Sequence, residues 1–122
     1  GINYALLLAR RALGAAVSGA RDDAIADQVG ARRVRELVLR YAMPRLADLD
    51  ELAAASRYWI LATLWEAALG LDRVAEAAEW ERRARAAEPA DWLLQSTEEQ
   101  LVRMRETQAR LALALAAKGA PA

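Results

Sequence analysis

The sequence predicts an all-α fold of about five helices, arranged as antiparallel hairpins that stack in series. Hydrophobic residues make up 56% of the 122-residue chain, and alanine, the strongest helix former, supplies much of that fraction. Apolar residues recur with helical spacing, and no stretch alternates with period two for long enough to form a strand. The predicted links are short, which makes consecutive helices antiparallel neighbours.

The first two helices are predicted from their apolar stripes. We expect helix one over residues 3–17 and helix two over residues 23–42, with a Ser-Gly-containing break between them. Asp22 or Asp23 can cap the start of helix two. Pro44 then ends or kinks this helix, because its ring cannot continue the helical hydrogen bonding.

Helices three, four and five each follow an aspartate that can serve as an N-cap, namely Asp50, Asp72 and Asp91. Helix three is expected to run to about residue 69, where Gly70 terminates it, and helix four to about residue 87, because Pro89 prevents its continuation. Helix five is predicted over residues 92–117, and the tail 118–122 is expected to fray. We expect residues 1–122 to form a single helical-repeat domain of a longer multidomain chain, because the sequence begins with glycine.

The stretch from Tyr58 to Pro89 fits the roughly 34-residue tetratricopeptide pattern, in which small residues lie where two helices touch. Ala77 and Ala84 occupy the alanine positions of this pattern, seven residues apart on one face of helix four, where they allow a close approach to helix three. Trp65 departs from the pattern, because the repeat has a small residue at its position. The sequence therefore predicts a degenerate, tetratricopeptide-like solenoid fragment.

Short motifs along the chain carry a resemblance to a known family. They are Gly1-Ile2-Asn3 before an apolar helix, Tyr58-Trp59 with Ala62-Thr63-Leu64 and Glu66, and Trp92 followed by Ser96-Thr97 and Gln100-Leu101. In this order and spacing, the chain resembles the C-terminal portion of a bacterial MAP3 kinase TRAFs-binding domain. The resemblance implies a tetratricopeptide-like scaffold for protein association in signalling or conflict-response proteins, and it brings no catalytic residues.

The composition argues against most catalytic and cofactor-binding functions. The chain contains no cysteine and no histidine, which removes the thiolate ligands, the commonest metal ligand and the commonest general base. Its glycines form no phosphate-binding motif, and its serines have no base to activate them. We therefore predict that the protein is not an enzyme and uses no cofactor and no metal.

Charge and hydropathy also narrow the choice of partner. Seventeen basic residues balance seventeen acidic ones, whereas a nucleic-acid-binding domain is usually basic. No signal peptide is recognised, and the first apolar run is interrupted by Arg10-Arg11, too early for a membrane span. We predict a cytoplasmic protein that binds a protein or peptide, and neither nucleic acid nor a membrane.

We expect the binding surface to include exposed positions of helices one and three. The candidates are Arg10, Arg57, Tyr58 and Trp65. We expect Trp59 and Trp92 to pack in the core, whereas Trp80, like Trp65, fits either the core or an exposed contact.

Glu66 lies in an apolar part of helix three, and no second acid lies at useful spacing on the same helix face. We therefore assign it a structural or solvated role. If it is buried, we expect an arginine or helix-end amides to pair with it.

An alternative function is oligomerisation of the parent chain, including a possible homodimer. Helix five carries apolar residues that are alternately three and four apart, as in a coiled coil. The possible seam consists of Leu94, Leu101, Met104, Gln108, Leu111 and Leu115. This face either covers the hairpin stack of its own chain or pairs with a second chain, and the open end of the stack is a further candidate interface.

Overall fold

Helices account for nearly all of the chain that the structure, a computed structural model, describes: the backbone of residues 5–11 and 21–119 and the side chains of residues 5–11 and 25–116. The elements are α1 (5–11), α2 (Arg21–Ala42), a 3-10 helix (Met43–Glu51), α3 (Ala54–Gly70), α4 (Val74–Ala86) and α5 (Asp91–Gly119). These described segments contain no strand, and the all-α prediction is confirmed.

Helix α3 carries apolar side chains around its whole circumference, which is typical of a helix enclosed by its neighbours. On one side, Leu61 and Trp65 join a cluster with residues of α4 and α5. On another side, Ile60 and Leu64 join a second cluster with residues of α2. Leu64 has no exposed surface, so α3 is the central element of the fold.

Helix α4 lies close against α3 because small side chains form its contact face. Ala77 is 2% exposed and Ala84 is 0% exposed, and both belong to the cluster that contains Leu61 of α3. The predicted role of these two alanines is confirmed. A larger side chain at either position would push the two helices apart.

Two hydrogen bonds fix the direction of α5 relative to α3. Near the start of both helices, the hydroxyls of Tyr58 and Thr97 are 2.7 Å apart. Towards the end of α3, Nε2 of Gln108 donates to the carbonyl oxygen of Gly70 at 2.9 Å. Helix α5 therefore runs parallel to α3. The stacking of such hairpins into a solenoid stays a prediction.

Helix α2 lies against α3 in the opposite direction. Its last residue, Ala42, packs in the cluster of Ile60, whereas Arg35 approaches the far end of α3. A Cβ added to Gly70 would lie 2.3 Å from Nε of Arg35. The glycine thus allows a buried arginine side chain to cross the end of α3.

The helix boundaries agree with the sequence only in part. Helix α3 ends at Gly70 as predicted, and Pro44 lies at the start of the 3-10 helix that follows α2. The predicted N-caps Asp50 and Asp72 are wrong. Asp50 lies within the 3-10 helix, and the residues at the N-cap positions of α3 and α4 are Ala53 and Arg73, without side-chain capping bonds.

The predicted start of helix five and the predicted break before helix two each differ from the structure by one or two residues. Helix α5 begins at Asp91 itself, one residue earlier than expected. Residues 21 and 22, expected in the break, belong to α2. The predicted end of helix one (12–17), most of the following break and the last residues of the tail (120–122) lie outside the described residues.

Within the described residues, none of the helices combines the length and the hydropathy that crossing a membrane requires. In the same part of the chain, no three acidic side chains converge as ligands of a metal ion would.

Candidate functional site

An open groove of about 900 Å³ lies between α2 and α5, with α3 as its floor. We call it the α2–α3–α5 groove. Its lining residues are Val34, Leu37, Val38, Tyr41, Ala42, Arg45, Ala55, Tyr58, Trp59, Ala62, Thr63, Glu66, Leu93, Ser96, Thr97 and Gln100. The groove exists because α2 and α5 pack on different sides of α3 without covering the face between them.

Three large apolar side chains of the groove are open to solvent. Leu37 is 59% exposed, Tyr41 is 61% exposed and Trp59 is 59% exposed. Contiguous exposed apolar surface of this kind often marks an interaction site, and Trp and Tyr are enriched among the residues that dominate binding energy. The rim of the groove therefore offers anchoring positions for a partner.

A hydrogen bond between α3 and α5 connects the floor of the groove to one of its walls. The Tyr58 hydroxyl lies 2.7 Å from Oγ1 of Thr97, and Thr97 donates to the carbonyl oxygen of Leu93 at 3.1 Å. Burial is the main cause that raises the pKa of Tyr58. Both hydroxyls thus have partners within the chain, and this wall holds the position of α5 beside α3.

Glu66 provides a carboxylate on the floor of the groove. Only 9% of the residue is exposed, and burial raises its pKa from the ordinary 4.5 to about 7. Among the described ion pairs and hydrogen bonds, none joins this carboxylate to an arginine, so the pairing expected for a buried Glu66 is not found there. The carboxylate is therefore available to a group that enters the groove.

Arg45 of the 3-10 helix is a charged residue of the groove lining. Its guanidinium lies over the ring of Tyr41, 3.9 Å from the ring centroid, in a cation–π contact. Among the described residues that line the groove, none supplies a second carboxylate to act with Glu66 as an acid–base pair. The arrangement is suited to binding through apolar contacts and one buried charge.

The four predicted binding residues do not form one surface. Arg10 is exposed on α1, and Nη1 of the partly buried Arg57 donates to the carbonyl oxygen of Leu52 at 3.3 Å. Tyr58 and Trp65 are each 4% exposed, so the prediction that they are exposed is wrong. Their side chains fill the core between α3, α4 and α5, which leaves only Tyr58 in contact with the groove.

The packing contradicts two of the tryptophan predictions. Trp59 and Trp92 are 59% and 69% exposed, so the core positions expected for them are wrong. Trp80 is half-buried against the core. Leu37 and Tyr41 were not among the predicted binding residues, although their spacing of four residues, just before Pro44, placed them on one side of α2.

The proposed oligomer seam of α5 is used within the chain. Leu101, Met104 and Leu111 are 7%, 3% and 2% exposed, and Gln108 donates to α3. Leu94 packs partly against the core, and Leu115 is half-buried. The face predicted as a seam therefore contributes to the protein's own core, and its use by a second chain would require these residues to leave their present contacts.

Comparison of the chain with known protein families, with curated proteins and with solved structures finds no significant match. The resemblance to the TRAFs-binding domain is carried by the short motifs alone and stays a prediction.

Proposed function

We propose that this protein is a non-catalytic interaction module that binds a segment of another protein in the α2–α3–α5 groove. The observation that supports this proposal is the exposure of Leu37, Tyr41 and Trp59 along one open cavity. Covering these three side chains with a partner contributes favourable free energy of about 1–2 kcal/mol for each one, because about three fifths of each is exposed.

The groove has the shape that a peptide segment requires. Its two walls, α2 and α5, are held against α3 by the core clusters, and α5 is also held by the Tyr58–Thr97 hydrogen bond. A rigid groove binds without a large loss of conformational entropy in the receptor. A partner segment that inserts apolar side chains between α2 and α5 satisfies this geometry.

The resemblance noted in the sequence agrees with this function. It implies a helical-repeat scaffold within a longer, multidomain bacterial protein concerned with signalling or conflict response. We include these properties, and a cytoplasmic location, in the proposal. Oligomerisation through the open end of the stack remains the alternative, and light scattering across a range of concentrations tests it.

A matched pair of tryptophan variants tests the proposed groove. Peptides are first selected from a displayed random-peptide library on the purified protein, and their Kd values are then measured by calorimetry for Trp59→Ala and for Trp92→Ala. Both tryptophans are exposed, but only Trp59 lines the groove. We expect Trp59→Ala to weaken binding by about thirtyfold, the loss of about 2 kcal/mol typical of an anchoring residue, and Trp92→Ala to have little effect.

The proposal fails if the library yields no binding peptide. It also fails if the selected peptides bind Trp59→Ala as tightly as they bind the wild-type protein.

A further inference from the structure

We propose that the α2–α3–α5 groove selects segments that carry a lysine or arginine, whose cationic group pairs with the carboxylate of Glu66. This inference rests on the proposed function and specifies the chemistry of the partner. It follows from where Glu66 lies, from what surrounds it and from the charged groups that face it.

The position of Glu66 allows a long side chain to reach it from the open side. The residue is 9% exposed and is one of the residues that line the groove. On the α2 side, the neighbouring lining residues Val34, Leu37 and Val38 are apolar. Lysine and arginine combine an aliphatic stem with a charged end, so the stem can contact this apolar wall while the charge meets the carboxylate.

The described groups around Glu66 provide no cation on the floor of the groove. From α5, Ser96, Thr97 and Gln100 are neutral. From α3, Tyr58 is the other titratable group, and its hydroxyl lies beside Thr97. The lining on this side therefore does not neutralise the carboxylate.

Arg45 of the 3-10 helix and the arginines of α1 make contacts elsewhere or are exposed. Arg45 of the 3-10 helix lies over the ring of Tyr41, which is the titratable residue that α2 contributes to the lining. On α1, Arg10 is exposed and Arg11 lies 3.6 Å from a carboxylate oxygen of Asp27. Among the described ion pairs, none involves Glu66, so a cation supplied by a partner would give this carboxylate a counter-charge.

The energetics favour a basic side chain over a neutral or acidic one. Burial without a counter-charge disfavours the ionised carboxylate, and this is the one cause that raises the pKa of Glu66 to about 7. A cation in the groove would remove this penalty by pairing with the carboxylate. An acidic side chain would be repelled, and a neutral one would leave the carboxylate unpaired.

A selection with the wild-type protein and with Glu66→Gln tests this specificity. Random displayed peptides are selected on each protein at about pH 8.5, where the carboxylate is ionised. We expect the wild-type protein to enrich peptides with a basic residue at a fixed distance from apolar anchors. We expect Glu66→Gln, which keeps nearly the same shape, to enrich the anchors without the basic residue.

A synthetic peptide pair then gives the size of the effect. One peptide carries the selected lysine, and the other carries norleucine, which has the aliphatic stem without the charge. We expect the lysine peptide to bind the wild-type protein about tenfold more tightly than the norleucine peptide, and the two to bind Glu66→Gln equally.

The two proposals can fail separately in these experiments. If peptides bind with the expected dependence on Trp59 but show no preference for a basic residue, or if Glu66→Gln keeps that preference, the charge specificity is wrong and the groove still binds a segment. If no peptide binds either protein, both proposals are wrong. Circular dichroism of Glu66→Gln verifies that the variant is folded.

Discussion

Replacement of Glu66 by glutamine is expected to stabilise the fold at alkaline pH and to change its stability little at acid pH. Glu66 is buried, and its pKa is raised from 4.5 to about 7 by that burial alone. Below about pH 4.5 the carboxyl is protonated in both the folded and the unfolded chain, so its titration contributes nothing to the free energy of unfolding. Above about pH 7 it is ionised in both states, and the folded state bears the full penalty.

The size of this penalty follows from the pKa difference. One pH unit corresponds to about 1.4 kcal/mol, so the change from 4.5 to about 7 amounts to about 3 kcal/mol. Between these two pH values the folded protein holds a proton that the unfolded chain has released, so stability falls as the pH rises. A glutamine is neutral and does not titrate. Its amide can form hydrogen bonds to water in the open groove.

Urea unfolding monitored by circular dichroism, at a series of pH values from about 4 to about 8.5, measures this effect. The free energy of unfolding of Glu66→Gln minus that of the wild-type protein is expected to rise by about 3 kcal/mol across the series. Glu106→Gln is the matched control, because Glu106 is exposed on α5. If the difference for Glu66→Gln does not rise with pH, or rises no more than for the control, the assignment of a buried, unpaired carboxylate is refuted.

Two further substitutions test the packing around α3. Gly70→Ala is expected to destabilise the fold by about 1–3 kcal/mol, because the added Cβ would lie 2.3 Å from Nε of the buried Arg35. Urea unfolding measures this loss, and an unchanged unfolding midpoint would contradict the close approach of Arg35 to Gly70. Ala84→Leu is expected to lower the free energy of unfolding by about 1–3 kcal/mol, because the larger side chain separates α4 from α3. Ala86→Leu, on the exposed side of α4, is the control and should change the free energy of unfolding by no more than about 0.5 kcal/mol. Thermal unfolding compares the two variants, and equal effects would argue against a tight contact at Ala84.

Local sequence signals identified the helices and the closest helix pair. The ends of α3 and α4 lie close to Gly70 and Pro89, where the sequence predicted them. The residues that adopt a left-handed backbone just after these helices are Asp72 (φ 60°) and Glu88 (φ 52°). The contact face of α4 follows from Ala77 and Ala84, because seven residues are nearly two helical turns and small side chains fit where two helices are close. Both features depend on residues near each other in the chain.

Local sequence signals could not predict which of the large side chains are buried. Tyr58 and Trp59 are adjacent in α3, yet Tyr58 is buried and Trp59 is exposed, the reverse of what we expected for each. Helix α3 is apolar on all sides, so its own periodicity does not tell which side stays uncovered. That side is fixed by where α2 and α5 pack.

The sequence by itself determined that the chain is helical, where most of its helices end and that α4 lies flush against α3, since backbone preferences and side-chain size act locally. The tertiary structure alone decided that α5 runs parallel to α3, that the face between α2 and α5 is open and that Glu66 lies beneath it. These features arise from contacts such as Tyr58 with Thr97 and Gln108 with Gly70. The partners in these contacts are separated by more than thirty residues in the chain. A local sequence pattern cannot predict contacts between residues so far apart.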